Sequence, residues 1–122
     1  MNNIDINVLA LAYLGDSVYE VYVRKYLLDN GISKVDLLQK ESVNYVSAKS
    51  QSKFLMEMIE KDFFNSEEID IIKRGRNHKS RKSKHTDVST YHNSTGFETL
   101  IGYLYISGNI DRIDEIMNYI LK

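Results

Sequence analysis

Apolar residues recur along this chain at spacings of three and four, the period of helices with one face turned inward. Val8, Leu9, Leu11, Leu14, Val18, Tyr19, Val21, Tyr22, Val23, Tyr26 and Leu27 cover more than one face of a helix running from about Asn7 to Asp29. A helix apolar all round is normally the central one. Gly15 is its weak point, and Asn30-Gly31 reads as a left-handed C-terminal cap. Ser33 and Asp36 have the spacing of a capping box and open a second helix through about Tyr45. A third spans roughly Ser47 to Lys61, with Phe54, Leu55, Met58 and Ile59 as its apolar stripe. Ser66, with Glu67 and Glu68 in a first turn where acids suit the helix dipole, starts a fourth that ends near Gly75. Residues 76 to 93 are polar, basic and without periodicity, and read as a long loop. A fifth helix runs from about Ser94 to Ser107 and stops at Gly108. Asn109 caps a sixth from Ile110 to Leu121, whose stripe is Ile113, Ile116, Met117 and Ile120. With zero proline and no strand pattern, the chain predicts an all-α fold of about six helices around a central apolar helix.

At 122 residues this reads as one domain over 1–122, long enough to bury a proper core. A hydrophobic share of 43% and a charged share of 27% are ordinary for a globular protein and exclude disordered or fibrous classes. Zero cysteines exclude disulfides, thiolate zinc sites and cysteine nucleophiles, and suit a reducing compartment. The first residues carry no basic leader, and the apolar run is broken at Asp16 before it could span a bilayer, so a cytoplasmic protein without a membrane segment is expected.

The net charge of −1 conceals a segregation. Seven of the 16 Lys and Arg lie between Lys73 and Lys84, with His78 and His85 and no Asp or Glu among them, which leaves nine basic residues against 17 carboxylates elsewhere. A cationic segment on an acidic body suits a polyanion met at one place, nucleic acid first of all. Arg74, Arg76, Lys79, Arg81, Lys82, Lys84 and His85 are the candidate contacts, although a charge run is equally readable as a solvated loop. His78, His85 and His92 recur every seven residues, but in so basic a region cation repulsion opposes metal binding. Tyr91 is the aromatic best placed to stack on a base.

Two acids stand apart. Asp16 is the only charge between Ile6 and Tyr19, and Glu98 the only Asp or Glu between Asp87 and Asp111. An ionised carboxylate taken out of water is costly unless a cation or hydrogen-bond donors compensate it, so two in apolar helices ask for a shared cation. Asp16 and Glu20 are four apart and project from one face. The plainer reading has Gly15-Asp16 capping a short first helix and Glu20 pairing with Arg24. A divalent-metal carboxylate site beside a cationic segment is what phosphodiester hydrolysis requires.

LAYLGDSVYEVYVR resembles the Leu-Gly-Asp helix of the ribonuclease III catalytic domain, and TGFETLIGYLY resembles the later helix of that family. The match is closer to the Mini-III branch, which lacks a separate double-stranded-RNA-binding domain. Its marks are LALAYLGDSVYEVYVR at 9–24, VSAKSQ at 46–51, KRGRN at 73–77 and TDVSTYHNSTGFETLIGYLY at 86–105. The resemblance implies a homodimeric, Mg2+-dependent endoribonuclease, with Mn2+ as a substitute, that cuts double-stranded RNA to 5′-phosphate and 3′-hydroxyl ends. For the branch it implies precursor 23S ribosomal RNA as substrate. Asp16 matches the aspartate of the Leu-Gly-Asp helix and Glu98 the glutamate of the later one, both as catalytic metal ligands, and Glu20 a frequent glutamate with a supporting part. Two further acids of the wider family are absent, with Ala12 and Thr95 in their places. The competing reading is a module of the same fold that binds duplex RNA without cutting it. Retention of both Asp16 and Glu98 argues for the enzyme.

Overall fold

Six helices follow one another as α1 (Val8–Asp29), α2 (Val35–Val46), α3 (Ala48–Glu60), α4 (Ser66–Asn77), α5 (Val88–Ile106) and α6 (Ile110–Ile120). The structure is a computed structural model that describes residues 6–78 and 87–122, and no strand occurs among them. Side-chain caps set most of the starts. Asn7 accepts from the backbone N–H groups of Leu9 and Ala10, Ser47 from Ser50 and Asp87 from Thr90. The fourth helix starts at Ser66 as expected: Asn65 is its cap, and Asn65 and Glu68 satisfy each other's backbone N–H groups as a capping box. At α2 the expected box at Ser33 is absent, the helix starting after Lys34 with no side-chain cap. The ends of α1 and α5 turn on Gly31 (φ 89°) and Gly108 (φ 79°), where the left-handed backbone lets Ile32 reach the Leu27 carbonyl and Asn109 that of Leu104.

The centre of the molecule is α5, not α1. Ten residues of α5 are buried, and α1, α3 and α4 all pack against it. α1 lies along one side of α5 and keeps Tyr13, Val21 and Leu28 exposed. The core joins Tyr19 and Val23 of α1, Leu55 and Met58 of α3, Ile72 of α4, Phe97 and Leu100 of α5, and Ile113 and Ile116 of α6. Tyr19 meets Phe97 edge to face at 5.6 Å and donates its hydroxyl to the Tyr45 carbonyl at 2.6 Å, so burial holds its phenol well above the usual range. Glu68 is buried and carries a two-pronged pair to Arg112 of α6 at 2.8 and 2.9 Å, and Arg112 also donates to the Phe63 carbonyl at 2.8 Å.

The polar stretch expected as a loop is helical at both of its ends. α4 continues to Asn77 and α5 begins at Val88, six residues before Ser94. Asn93, Ser94 and Thr95 are polar yet buried, and each is satisfied. Asn93 is bonded to Ser52 and Arg76, and the hydroxyls of Ser94 and Thr95 both donate to the Tyr91 carbonyl.

Candidate functional site

The α1–α5 crossing is a contact of backbones. A methyl group on Gly15 would overlap the Glu98 carbonyl oxygen, and one on Gly102 would overlap that of Leu11. Only glycine at both positions permits this approach. α1 runs unbroken through Gly15, so the glycine neither breaks nor caps it. Asp16 follows Gly15 directly, and its carboxyl lies in hydrogen-bond contact with that of Glu98.

The two acids differ in their surroundings. Asp16 is exposed, contrary to the burial its apolar neighbours implied, because it lines the open cleft between α1 and α5. Glu98 is largely shielded. Burial is the main cause pushing its carboxyl from 4.5 up to about 9, the hydrogen bond and charge of Asp16 add to it, and Glu20 adds less. Gln51 of α3 pulls the other way, its Nε2 donating to Glu98 Oε2 at 3.4 Å. Glu20 lies further along the same helix, with Arg24 at 3.4 Å as the i,i+4 pairing predicts.

Tyr13 and Asp16 of α1 face Tyr91 and Glu98 of α5 across an open cleft of about 270 Å3. Ala12 and Thr95 line it too, so the positions without the wider family's acids border the same space, and the Thr95 hydroxyl is turned to the helix backbone. Among the described residues no group of three or more His, Asp or Glu is arranged to hold a metal ion. The chain itself offers two carboxylates. Hard oxygen donors few in number suit Mg2+, which keeps several waters and takes one or two carboxylates together with phosphate oxygens of a substrate. The donor chemistry therefore fits a divalent cation, and a carboxyl displaced so far upward is one that needs a cation or a proton.

The basic positions separate. Arg74 lines a different recess with Glu67, Asp70 and Tyr103, on the other flank of the crossing. Arg76 is partly buried and donates its Nε to Asn93 Oδ1 at 2.7 Å, while Asn93 Nδ2 donates to Ser52 Oγ at 2.9 Å. Arg76 thereby ties α4 to α5 and α3 through its Nε. Lys79, Arg81, Lys82, Lys84 and His85 lie outside the described residues. Gln51 was not singled out as a site residue, although a signal existed. It falls at the stripe position of α3 shared with Leu55 and Met58, where a polar side chain has to be held by something.

A ribonuclease III domain model matches residues 9–109. The chain is 42% identical to the Mini-ribonuclease 3 of Enterococcus faecalis over 118 residues, covering 96% of this chain and 89% of the relative. The Mini-ribonuclease 3 of Staphylococcus aureus is 45% identical over 117 residues, covering 95% and 87%. Among solved structures, a protein of Fusobacterium nucleatum superposes with a TM-score of 0.90 at 30% identity, over 98% of each chain. No described helix is long and apolar enough to cross a membrane. With a domain match over most of its length and such identities over nearly all of it, the chain belongs to the ribonuclease III family, in its Mini-III branch.

Proposed function

We propose that Asp16 and Glu98 form the divalent-metal site of this double-stranded-RNA endoribonuclease, that Mg2+ is the working ion with Mn2+ able to replace it, and that precursor 23S ribosomal RNA is its substrate. The observation that carries the metal assignment is the contact between the two carboxyls at the glycine crossing. When bound, the cation supplies charge stabilisation to the phosphate and lowers the pKa of water at neutral pH. The chain's own residues do the rest. The crossing fixes where Asp16 stands relative to Glu98, and Asp16, being exposed, is the member of the pair reachable from solvent. Tyr13 is 82% exposed at the mouth of the cleft, and Tyr91 lies on the opposite wall, so aromatic faces flank the acids where a nucleotide would pass. The domain, taken as 1–122, acts as a homodimer, each copy cutting one strand. Exposed Val21 and Leu28 on α1 support an apolar contact between copies.

The test is cleavage of a structured duplex RNA with Mg2+ and then with EDTA, by the wild type, Asp16→Asn, Glu98→Gln and the double variant. Each single variant is expected to lose cleavage while retaining helix content and duplex binding, and the double to be little worse than either, because residues acting as a unit are not additive. Wild-type rates from Asp16→Asn at the same Mg2+ concentration would remove the assignment. Comparison of a precursor 23S fragment with an unrelated duplex tests the substrate.

A further inference from the structure

Gln51 occupies a core position that an apolar residue would fill with less difficulty. It is 1% exposed, on the α3 stripe with Leu55 and Met58. Among the described residues its one side-chain hydrogen bond crosses to α5, from Nε2 to Glu98 Oε2 at 3.4 Å, while its Oε1 is buried with no partner. A buried amide left half satisfied opposes folding and calls for a reason. Its backbone is fixed on both sides. The Gln51 N–H donates to the Ser47 carbonyl at 2.9 Å within the capped first turn, and the next residue, Ser52, is held by Asn93 of α5 at 2.9 Å. The amide is therefore carried on a rigid mount that refers directly to the helix bearing Glu98.

Glu98 has the opposite problem. Its side chain has three rotatable bonds, and its other neighbour, Asp16, is an acceptor of the same charge that cannot orient an ionised carboxylate. We propose that Gln51 is a positioning residue whose amide sets the direction in which Glu98 faces Asp16, and so sets the affinity of the pair for a divalent cation. The inference rests on the reading of Asp16 and Glu98 as the metal site. The long 3.4 Å contact is of the kind that tightens once a site is loaded. Residues that orient a metal-binding side chain affect affinity nearly as strongly as ligands do.

The test is calorimetric titration of Mn2+ into the wild type, Gln51→Met, Gln51→Asn and Glu98→Gln. Melting in EDTA and cleavage across a metal series accompany it. Gln51→Met matches the side chain in length without a donor, and Gln51→Asn keeps an amide, which favours folding, but falls a methylene short of Glu98. Both are expected to bind Mn2+ about 10- to 100-fold more weakly. Their cleavage is expected to need correspondingly more metal, with the KM for RNA unchanged. A merely structural Gln51 would lower the melting temperature and leave metal affinity alone. If both Gln51 variants bind Mn2+ as the wild type does while Glu98→Gln has lost it, the positioning role is overturned and the metal site stands. If Glu98→Gln binds as well as the wild type, the site assignment itself has failed.

Discussion

Two carboxyls in hydrogen-bond contact hold a proton between them when no cation is present, and here the shielded member retains it. Because Glu98 is raised from 4.5 to about 9 in the folded protein, the native state keeps a proton that the unfolded chain releases across that interval. Metal-free stability therefore falls as pH rises from about 4.5 to 9. Glu98→Gln removes the titrating group. In EDTA its melting temperature is expected to decline less over this range than that of the wild type, and parallel curves would contradict the shared proton. Divalent metal is expected to flatten the wild-type curve, since a cation replaces the proton. Both acids were conspicuous in the sequence as lone charges, but their inequality was not. Hydropathy reports which residues flank Asp16 along the chain and not which side of α1 it leaves from.

At the scale of elements, α5 carries the design. It meets α1 through Gly102 and α4 through Gly96, against Gly75, so glycines let neighbouring backbones close in where a side chain would hold them apart. Gly102→Ala is expected to cost at least about 1–3 kcal/mol in urea unfolding, as overpacking does, because the atom in the way is the Leu11 carbonyl and not the end of a flexible side chain. Cleavage at saturating metal is expected to fall with it, since Asp16 moves with α1. Between α4 and α6, Arg112→Leu leaves Glu68 buried without its cation, with an expected loss of about 3–5 kcal/mol by the same measurement. Helix number and most of the core were legible because Ile113, Ile116, Met117 and Ile120 announce their face by spacing alone. The first turns of α5 were not. Thr90 to Ser94 are polar or aromatic, and the burial of Asn93 is matched by Ser52 and Arg76, which a local pattern does not bring near.

For the whole molecule the apolar surplus lies on the outside of α1 and α2. α5 is largely enclosed by its neighbours and exposes Val88, Tyr105 and Ile106 at its ends, while Tyr13, Val21, Leu28, Val35 and Val43 remain exposed on the other two. Sedimentation at micromolar concentration is expected to show a dimer, and a monomer cutting both strands at full rate would refute the paired-site reading. Replacing Lys79, Arg81, Lys82 and Lys84 with alanine is expected to weaken duplex binding and flatten its salt dependence, with single-turnover cleavage at saturating RNA much less affected. Arg76 is left out of that set, because its bond to Asn93 makes Arg76→Ala a test of packing as well as of charge. The order of the chain adds a consequence in time. Asp16 is made early and Glu98 late, and they meet only at the crossing of α1 and α5. A nascent chain released up to the end of α4 therefore carries one acid of the pair. On the metal-site reading proposed above, the cutting centre is assembled only by the completion of the fold.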